Sequence, residues 1–137
     1  MNCEIRNWPK WEFSHTFWFL KDSLGTRHIL SGLPTGDFPH RGYMHLCNTR
    51  GNVGHVRQDN EFAADSWSDI GTGDVCSRTS DMLIAALAHP QTQFRYDPAV
   101  TYGWNCHTLS WTLAQKAGFV QATPPPYSRG WGKTMPW

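Results

Sequence analysis

Residues 105–119 read NCHTLSWTLAQKAGF, and this run predicts the helix on which the rest of the fold depends. Asn105 is a favourable N-cap, Gly118 suits the position just beyond a helix end, and no residue between them breaks a helix. Small or apolar residues recur along one stripe at spacings of three and four, as on a helix that packs one face on a core. They are Cys106, Leu109, Leu113 and Ala117. We therefore expect a helix with Cys106 in its first turn.

A β-hairpin is predicted upstream of this helix. Residues 13–20 (FSHTFWFL) and 27–33 (RHILSGL) are apolar runs, and residues 21–26 (KDSLGT) place Asp and Gly where a tight turn needs them. By the two-residue period of a strand, His15 shares one face of the first strand with three aromatic rings. The rings are those of Phe13, Phe17 and Phe19. We therefore expect His15 to be at least partly buried.

The remaining elements are predicted with shorter signals. In chain order they are short strands at 43–47 and 52–57, a helix at 79–89, and an irregular tail at 123–137 that packs over the domain through its aromatic rings. Thr79 or Ser80 is the expected N-cap of the 79–89 helix, and Pro90 ends it. His89 would then lie at its C-terminus, where the helix dipole favours a cation.

Length and composition narrow the class of protein. The 137 residues, 39% of them hydrophobic and 17% charged, indicate one globular domain covering residues 1–137. A net charge of +1 without a basic run argues against a nucleic-acid partner. No apolar stretch is long enough to span a bilayer, and residues 1–13 lack the charged-then-apolar pattern of a signal peptide.

Cys106 is the candidate nucleophile. The thiolate is the reactive form of cysteine, and the positive end of a helix dipole lowers the pKa of a thiol in the first turn. A nearby imidazole can take the thiol proton and return it to the leaving group, and the first backbone amides can donate to a developing oxyanion. A cysteine on a buried helix stripe can equally be a small hydrophobe without chemistry. Spacing alone leaves both interpretations open.

Tyr96 and residues 102–110 (YGWNCHTLS) resemble the nucleophile segment of the NlpC-type papain-like superfamily. They look more like its circularly permuted branch, in which a His-bearing strand precedes the Cys-bearing helix. Lecithin:retinol acyltransferase-like enzymes of that branch read Asn-Cys-Glu-His-Phe where this chain reads Asn-Cys-His-Thr-Leu from Asn105. The hairpin is similar too, because residues 14–19 (SHTFWF) place a histidine at the opening of a strand.

The resemblance, which covers roughly residues 13–34 and 79–119, implies an α+β, permuted papain-like (NlpC-type) fold. In that fold a small antiparallel sheet packs against the Cys-bearing helix of a single catalytic domain. It also implies that Cys106 is the nucleophile of a cysteine hydrolase and that His15 is its general base.

A third, orienting residue is left open. Acyltransferase-like relatives carry a second histidine on the following strand, where this chain has His28. A turn centred on residues 23–24 would place His28 on the same face as His15 but about 13 Å along the strands, too far for a hydrogen bond. A backbone carbonyl or a polar residue of the middle region is an equal alternative to His28.

The other histidines and cysteines carry weaker signals. A metal site from the middle region is conceivable, but the irregular spacing favours loop histidines, and neither a metal nor a cofactor is predicted. The residues concerned are His40, His45, His55, Asp37 and Asp59. His107 is expected on the opposite side of its helix from Cys106. Cys47 and Cys76 could pair in an oxidising compartment, and the absence of a CxxC motif argues against structural zinc.

Three functions fit these residues. The first is amide hydrolysis of a peptide or of the stem peptides of peptidoglycan, as in NlpC-type relatives. The second is acyl transfer or phospholipid hydrolysis of the lecithin:retinol acyltransferase-like type, and the third is a non-catalytic binding module. Lipid enzymes of this type usually add an apolar membrane segment, whereas abundant Trp and Tyr suit a sugar–peptide polymer. We therefore favour a cysteine amidase or endopeptidase that cleaves peptidoglycan.

A small amidase of this kind resembles the antibacterial effector toxins that bacterial secretion machines deliver. That resemblance implies a protein secreted, or delivered to the periplasm of a target cell, without a standard signal peptide. It also implies an immunity protein as a possible partner.

Overall fold

The structure, a computed structural model, describes residues 3–9, 15–36, 42–48, 68–69, 75–119 and 128–137. The helices and strands within them are β1 (Glu4–Pro9), β2 (Thr16–Lys21), β3 (Arg27–Pro34), β4 (Met44–Asn48), β5 (Ser68–Asp69), α1 (Val75–Ala88) and α2 (Cys106–Lys116). The strands form one antiparallel sheet in the order β4-β3-β2-β1-β5. Helix α2 packs on β2 and β3. The predicted α+β class is confirmed.

The β2–β3 hairpin is confirmed, but its register differs by one residue from the prediction. The Asp22 amide donates to the Thr26 carbonyl (3.0 Å), so the turn is centred on Leu24. Position 28 therefore pairs with Leu20 rather than with position 19. Because side chains alternate between faces, this shift moves His28 to the opposite face of the hairpin.

One face of the sheet packs against α2. The Trp18 indole nitrogen donates to the Ser110 carbonyl (2.9 Å), and the buried apolar residues of this face join those of both helices in one core. From the strands they are Ile5, Trp18, Leu20, Leu30, Met44 and Leu46. Gly32 allows the close approach, because a Cβ there would lie 2.5 Å from Leu109 Cδ2. Helix α2 therefore lies directly on the backbone of β3.

The other face of the hairpin carries a second buried cluster. It consists of Phe17, Phe19 and Ile29. The His15 ring lies 6.0 Å from that of Phe17, centroid to centroid, and is partly buried, as the two-residue period predicts. Phe13, the remaining ring predicted for this face, lies outside the described residues.

Both predicted helices are present, and they differ in how well their starts were predicted. Asn105 caps α2, and Gly118 follows its end with a φ of +87°. The capping prediction for α1 is wrong: the helix begins four residues earlier, at Val75, and Thr79 lies inside it with its side chain buried. A hydroxyl that faces the core looks like a cap in the sequence, but here tertiary packing extends the helix by a turn.

The disulfide differs from the Cys47–Cys76 pair that the sequence left open. A disulfide joins Cys3 to Cys76 and so ties the start of β1 to the first turn of α1. Cys47, on β4, and Cys106 are buried thiols. Strand β1 was not predicted, since only its pairing with β2 reveals it. The predicted strand at 52–57 lies outside the described residues, whereas that at 43–47 corresponds to β4.

The tail forms neither helix nor strand over residues 128–137, and it runs along α2 from one end to the other. The Asn105 side-chain amide donates to the Arg129 carbonyl (2.8 Å) at the helix start, and the Met135 amide donates to Thr112 Oγ1 (2.9 Å) farther along. At the helix end Lys116 Nζ donates to the Trp137 carbonyl. Over residues 128–137 the prediction that the tail packs over the domain is confirmed, whereas residues 123–127 lie outside the described residues.

Candidate active site

Cys106 is the first residue of α2, and its side chain is buried with 5% of its surface exposed. A reciprocal capping box fixes the backbone there. The Asn105 side-chain oxygen accepts from the amides of His107 (2.9 Å) and Thr108 (3.0 Å), and the Asn105 amide donates to Thr108 Oγ1 (2.9 Å). The Asn105 side-chain nitrogen is held in turn by the Pro98 carbonyl (3.2 Å) and by the tail. These hydrogen bonds thus fix the position of the backbone that bears the thiol.

The same cap changes the expected oxyanion site. Since the amides of His107 and Thr108 donate to Asn105, they do not serve as oxyanion donors in this arrangement. The amide of Cys106 itself is another candidate donor in the first turn. A nucleophile's own backbone N–H is one of the donors that stabilise tetrahedral intermediates in acyl-transfer enzymes.

His15, the predicted base, lies one residue before β2 begins, at the end of the sheet nearest the start of α2. Its Nε2 is 2.9 Å from Ser31 Oγ on β3. Its imidazole also hydrogen-bonds the Cys106 thiol. The structure therefore brings the predicted nucleophile and base together, with Ser31 holding the ring from behind.

His107 also contacts the thiol, and its expected position on the opposite side of the helix is wrong. Every residue from 105 to 110 is buried, so the start of α2 has no solvent side onto which His107 could point. His107 Nδ1 lies 3.0 Å from Thr16 Oγ1, which donates to Ser110 Oγ (3.2 Å). This polar chain links β2 to α2 directly behind Cys106.

The two histidines decide the ionisation of Cys106. Burial is the largest single influence on the pKa of the thiol and acts to raise it, because apolar surroundings disfavour the thiolate. Hydrogen bonds from His107 and from His15, and the positive charge of each imidazole, act in the opposite direction. Together they lower the pKa of Cys106 from its ordinary value of 9.0 to about 5. The two imidazoles therefore favour the thiolate form of Cys106.

His28 does not belong to this site, and its predicted place on the face of His15 is wrong. Its Nε2 lies 3.1 Å from an Asp22 carboxylate oxygen, and its Nδ1 lies 3.0 Å from the Asn48 side-chain nitrogen. Both ring nitrogens are thus occupied at the turn end of the hairpin. The residue that orients His15 is Ser31, which belongs to neither of the alternatives to His28 expected from the sequence.

His89 is a core histidine rather than a cation at a helix terminus. It is 4% exposed, its Nε2 lies 3.2 Å from the Met44 carbonyl, and its ring packs against those of Phe94 and Trp137. Burial lowers its pKa from the ordinary value of 6.5, so the neutral form is favoured. The expectation that His89 is a cation stabilised by the helix dipole is therefore wrong.

Across the described residues, no group of three or more His, Cys, Asp or Glu side chains is placed to hold a metal ion. Of the middle-region candidates, only His45 is described, on β4 beside Leu33 of β3. The others (His40, His55, Asp37 and Asp59) lie outside the described residues. Neither described helix is long and apolar enough to cross a membrane.

The loop before α2 presents an exposed aromatic side chain. The Asp97 carboxylate accepts from the amides of Ala99 (3.0 Å), Thr101 (2.8 Å) and Tyr102 (2.8 Å), and this shapes a loop that leaves the Tyr102 side chain 86% exposed. These hydrogen bonds, the one to the Tyr102 amide most of all, lower the pKa of Asp97. Partly exposed indoles lie on this loop, on α2 and on the tail. They are Trp104, Trp111 and Trp131, of which the last two meet edge to face at 5.8 Å.

Comparison of the chain with models of protein families, with curated proteins and with solved structures finds no match.

Proposed function

We propose that this protein is a cysteine hydrolase that cleaves amide bonds, with Cys106 as the nucleophile and His15 as the general acid and base. The observation that carries the proposal is the buried Cys106 thiol, at a capped helix start, hydrogen-bonded by two imidazoles that lower its pKa to about 5. An inert buried cysteine has its pKa raised by its surroundings. Here the surroundings act in the direction that a nucleophile requires.

The reaction follows from these groups. The Cys106 thiolate attacks the amide carbonyl carbon, a C–S bond forms, and the carbonyl oxygen becomes an oxyanion that the Cys106 amide can stabilise. The His15 imidazolium gives its proton to the departing nitrogen as the C–N bond breaks, which leaves a thioester. His15 then takes a proton from water, the resulting hydroxide attacks the thioester, and the thiolate leaves with its electron pair.

The permuted papain-like fold is part of the proposal. The order of the elements supports it, since the hairpin that carries His15 precedes the helix that carries Cys106 and the helix packs on that hairpin. Ser31 fits the role of the third residue, because its hydrogen bond to Nε2 orients the His15 ring.

Peptidoglycan stem peptides are the proposed substrate. The exposed Tyr102 ring and the partly exposed indoles of Trp104, Trp111 and Trp131 offer flat surfaces for a sugar–peptide polymer. The Cys3–Cys76 disulfide supports a working place outside the reducing cytosol, such as the periplasm of a target cell. A toxin that acts there would be neutralised by an immunity protein in the cell that makes it.

The test is digestion of purified peptidoglycan, with phospholipid vesicles treated in parallel. We expect the wild type to release muropeptide fragments and Cys106→Ala to release none while keeping its thermal unfolding temperature. Cys47→Ala, which removes the other buried thiol, is the matched control and should retain activity. Fatty acid release from the vesicles would replace the amidase proposal with a lipid hydrolase. Equal fragment release by Cys106→Ala would exclude the thiol mechanism.

A further inference from the structure

The two imidazoles at Cys106 differ in burial and in the groups behind them. His107 is 3% exposed and is backed by the Thr16–Ser110 chain, whereas His15 is only partly buried and is backed by Ser31. They are also the titratable groups that act on Cys106, one from α2 and one from the start of β2. In the proposed hydrolysis His15 makes both proton transfers to and from the substrate and water, and His107 takes no part in them.

The polar chain pairs Nδ1 of His107 with a hydroxyl that can accept from it. Thr16 has one hydroxyl proton, and in the arrangement in which Thr16 donates it to Ser110 Oγ (3.2 Å), the Thr16 oxygen accepts from His107. In that case His107 Nδ1 donates to Thr16 Oγ1 across 3.0 Å. Nε2 is then the nitrogen through which His107 can take a proton from the thiol.

We propose that the two histidines divide the proton transfers at Cys106: His107 takes the thiol proton and holds the thiolate, while His15 serves the leaving group and the attacking water. This division rests on the proposed hydrolase function. Relative burial carries it. The His107 ring is enclosed by α2 and β2, whereas the His15 ring is partly exposed, so His15 is the more accessible of the two to a leaving group that arrives from solvent.

The proton balance closes with two histidines. The thiol proton moves to His107 Nε2 before substrate binds, and His107 keeps it through the cycle as the counter-charge of the thiolate. His15 enters the cycle as an imidazolium whose proton comes from solvent, gives that proton to the leaving nitrogen and regains one from the water that hydrolyses the thioester. Thr16 is then a positioning residue, since it acts on the thiol only through His107.

The first experiment measures the pH dependence of Cys106 alkylation by iodoacetamide, which needs no substrate. Glutamine at either histidine position can still hydrogen-bond but cannot become a cation. We expect His107→Gln to slow alkylation by about tenfold at about pH 4, which lies below the pKa of the thiol in both proteins, so that one pKa unit changes the thiolate fraction by about that factor. We expect His15→Gln to slow alkylation less and amide turnover more. The opposite order would overturn the division of roles.

A matched pair at Thr16 tests the positioning role. Thr16→Val keeps the shape and removes the acceptor, so the alkylation profile should move toward higher pH, as in His107→Gln. Thr16→Ser retains the hydroxyl and should restore the wild-type profile. Identical profiles for both variants would show that Thr16 does not act through His107.

Nitrogen NMR of the histidine side chains tests the proposal in the wild type, so its result does not depend on whether the variants fold. We expect a proton on His107 Nδ1, and a ring protonated on Nε2 alone would overturn the proposal. The alkylation data also separate the two proposals. A wild-type Cys106 that reacts only near pH 9 sinks the hydrolase itself, whereas a reactive Cys106 that is insensitive to His107→Gln sinks only the division of roles.

Discussion

The β2–β3 hairpin holds a histidine at each end, and the two ends hold it differently. At the turn, His28 is fixed by the Asp22 carboxylate on one ring nitrogen and by the Asn48 amide on the other. At the open end, Ser31 binds Nε2 of His15, and the ring also contacts the Cys106 thiol. An imidazole with both nitrogens engaged by structural partners stabilises a turn. One held at a single nitrogen can exchange a proton with a reacting group.

Removing each histidine in turn should give the largest contrast. We expect His15→Ala to lower amide turnover by about 10²–10⁴-fold, the usual contribution of a positioned acid or base. His28→Ala, the matched control, should leave turnover unchanged, because His28 contacts neither the thiol nor the residues that hold it. The rate of fragment release from peptidoglycan measures the turnover of both variants. Comparable losses in the two variants would mean that the hairpin acts only as a scaffold.

A smaller effect is expected from the residues that hold the two rings. Ser31→Ala should lower kcat by about tenfold with little change in KM, because a misplaced base slows the chemistry without weakening substrate binding. Asn48→Ala, which releases His28 instead, should change neither constant. A rise in KM alone for Ser31→Ala would place Ser31 in substrate binding rather than behind His15.

The register of this hairpin shows how far the sequence could predict the site. The alternation of apolar residues identifies both strands, and the turn residues identify the loop. The predicted centre of the turn, however, lies half a residue too early. That difference shifts the strand pairing by one position. In the predicted pairing His28 lies on the face of His15 and Ser31 lies on the opposite face, so the contact between His15 and Ser31 is missed. Only hydrogen bonds such as that from the Asp22 amide to Thr26 fix the centre of the turn.

The nucleophile helix was predicted more completely, because its signals are local. The N-cap, the buried stripe and the glycine beyond its end all lie within one run of sequence. The burial of His107 is not local, since it depends on β2 covering the start of α2 with Thr16. A hydroxyl residue inside an apolar strand, such as Thr16 or Ser31, is the one signal that could have indicated a polar contact in the core.

The smallest expected effect lies at the turn and concerns stability alone. Asp22 accepts from the amides of Leu24 (3.0 Å) and Thr26 (2.9 Å) and from His28, so Asp22→Ala should lower the free energy of unfolding by about 1 kcal/mol at neutral pH. Turnover should not change. Chemical unfolding measures the loss, and Asp22→Asn, which keeps an acceptor, is the matched control.

The same variant has an expected pH dependence. The hydrogen bond with His28, more than any other influence, lowers the pKa of Asp22 from its ordinary value of 3.8. A carboxylate whose folded-state pKa is lowered stabilises the protein above the unfolded value, and that contribution is lost as the pH falls through the folded value. The stability difference between wild type and Asp22→Ala should therefore shrink below about pH 3.8. A difference that stays constant there would assign the effect to uncharged hydrogen bonds, and the turn would then hold His28 without using the charge of Asp22.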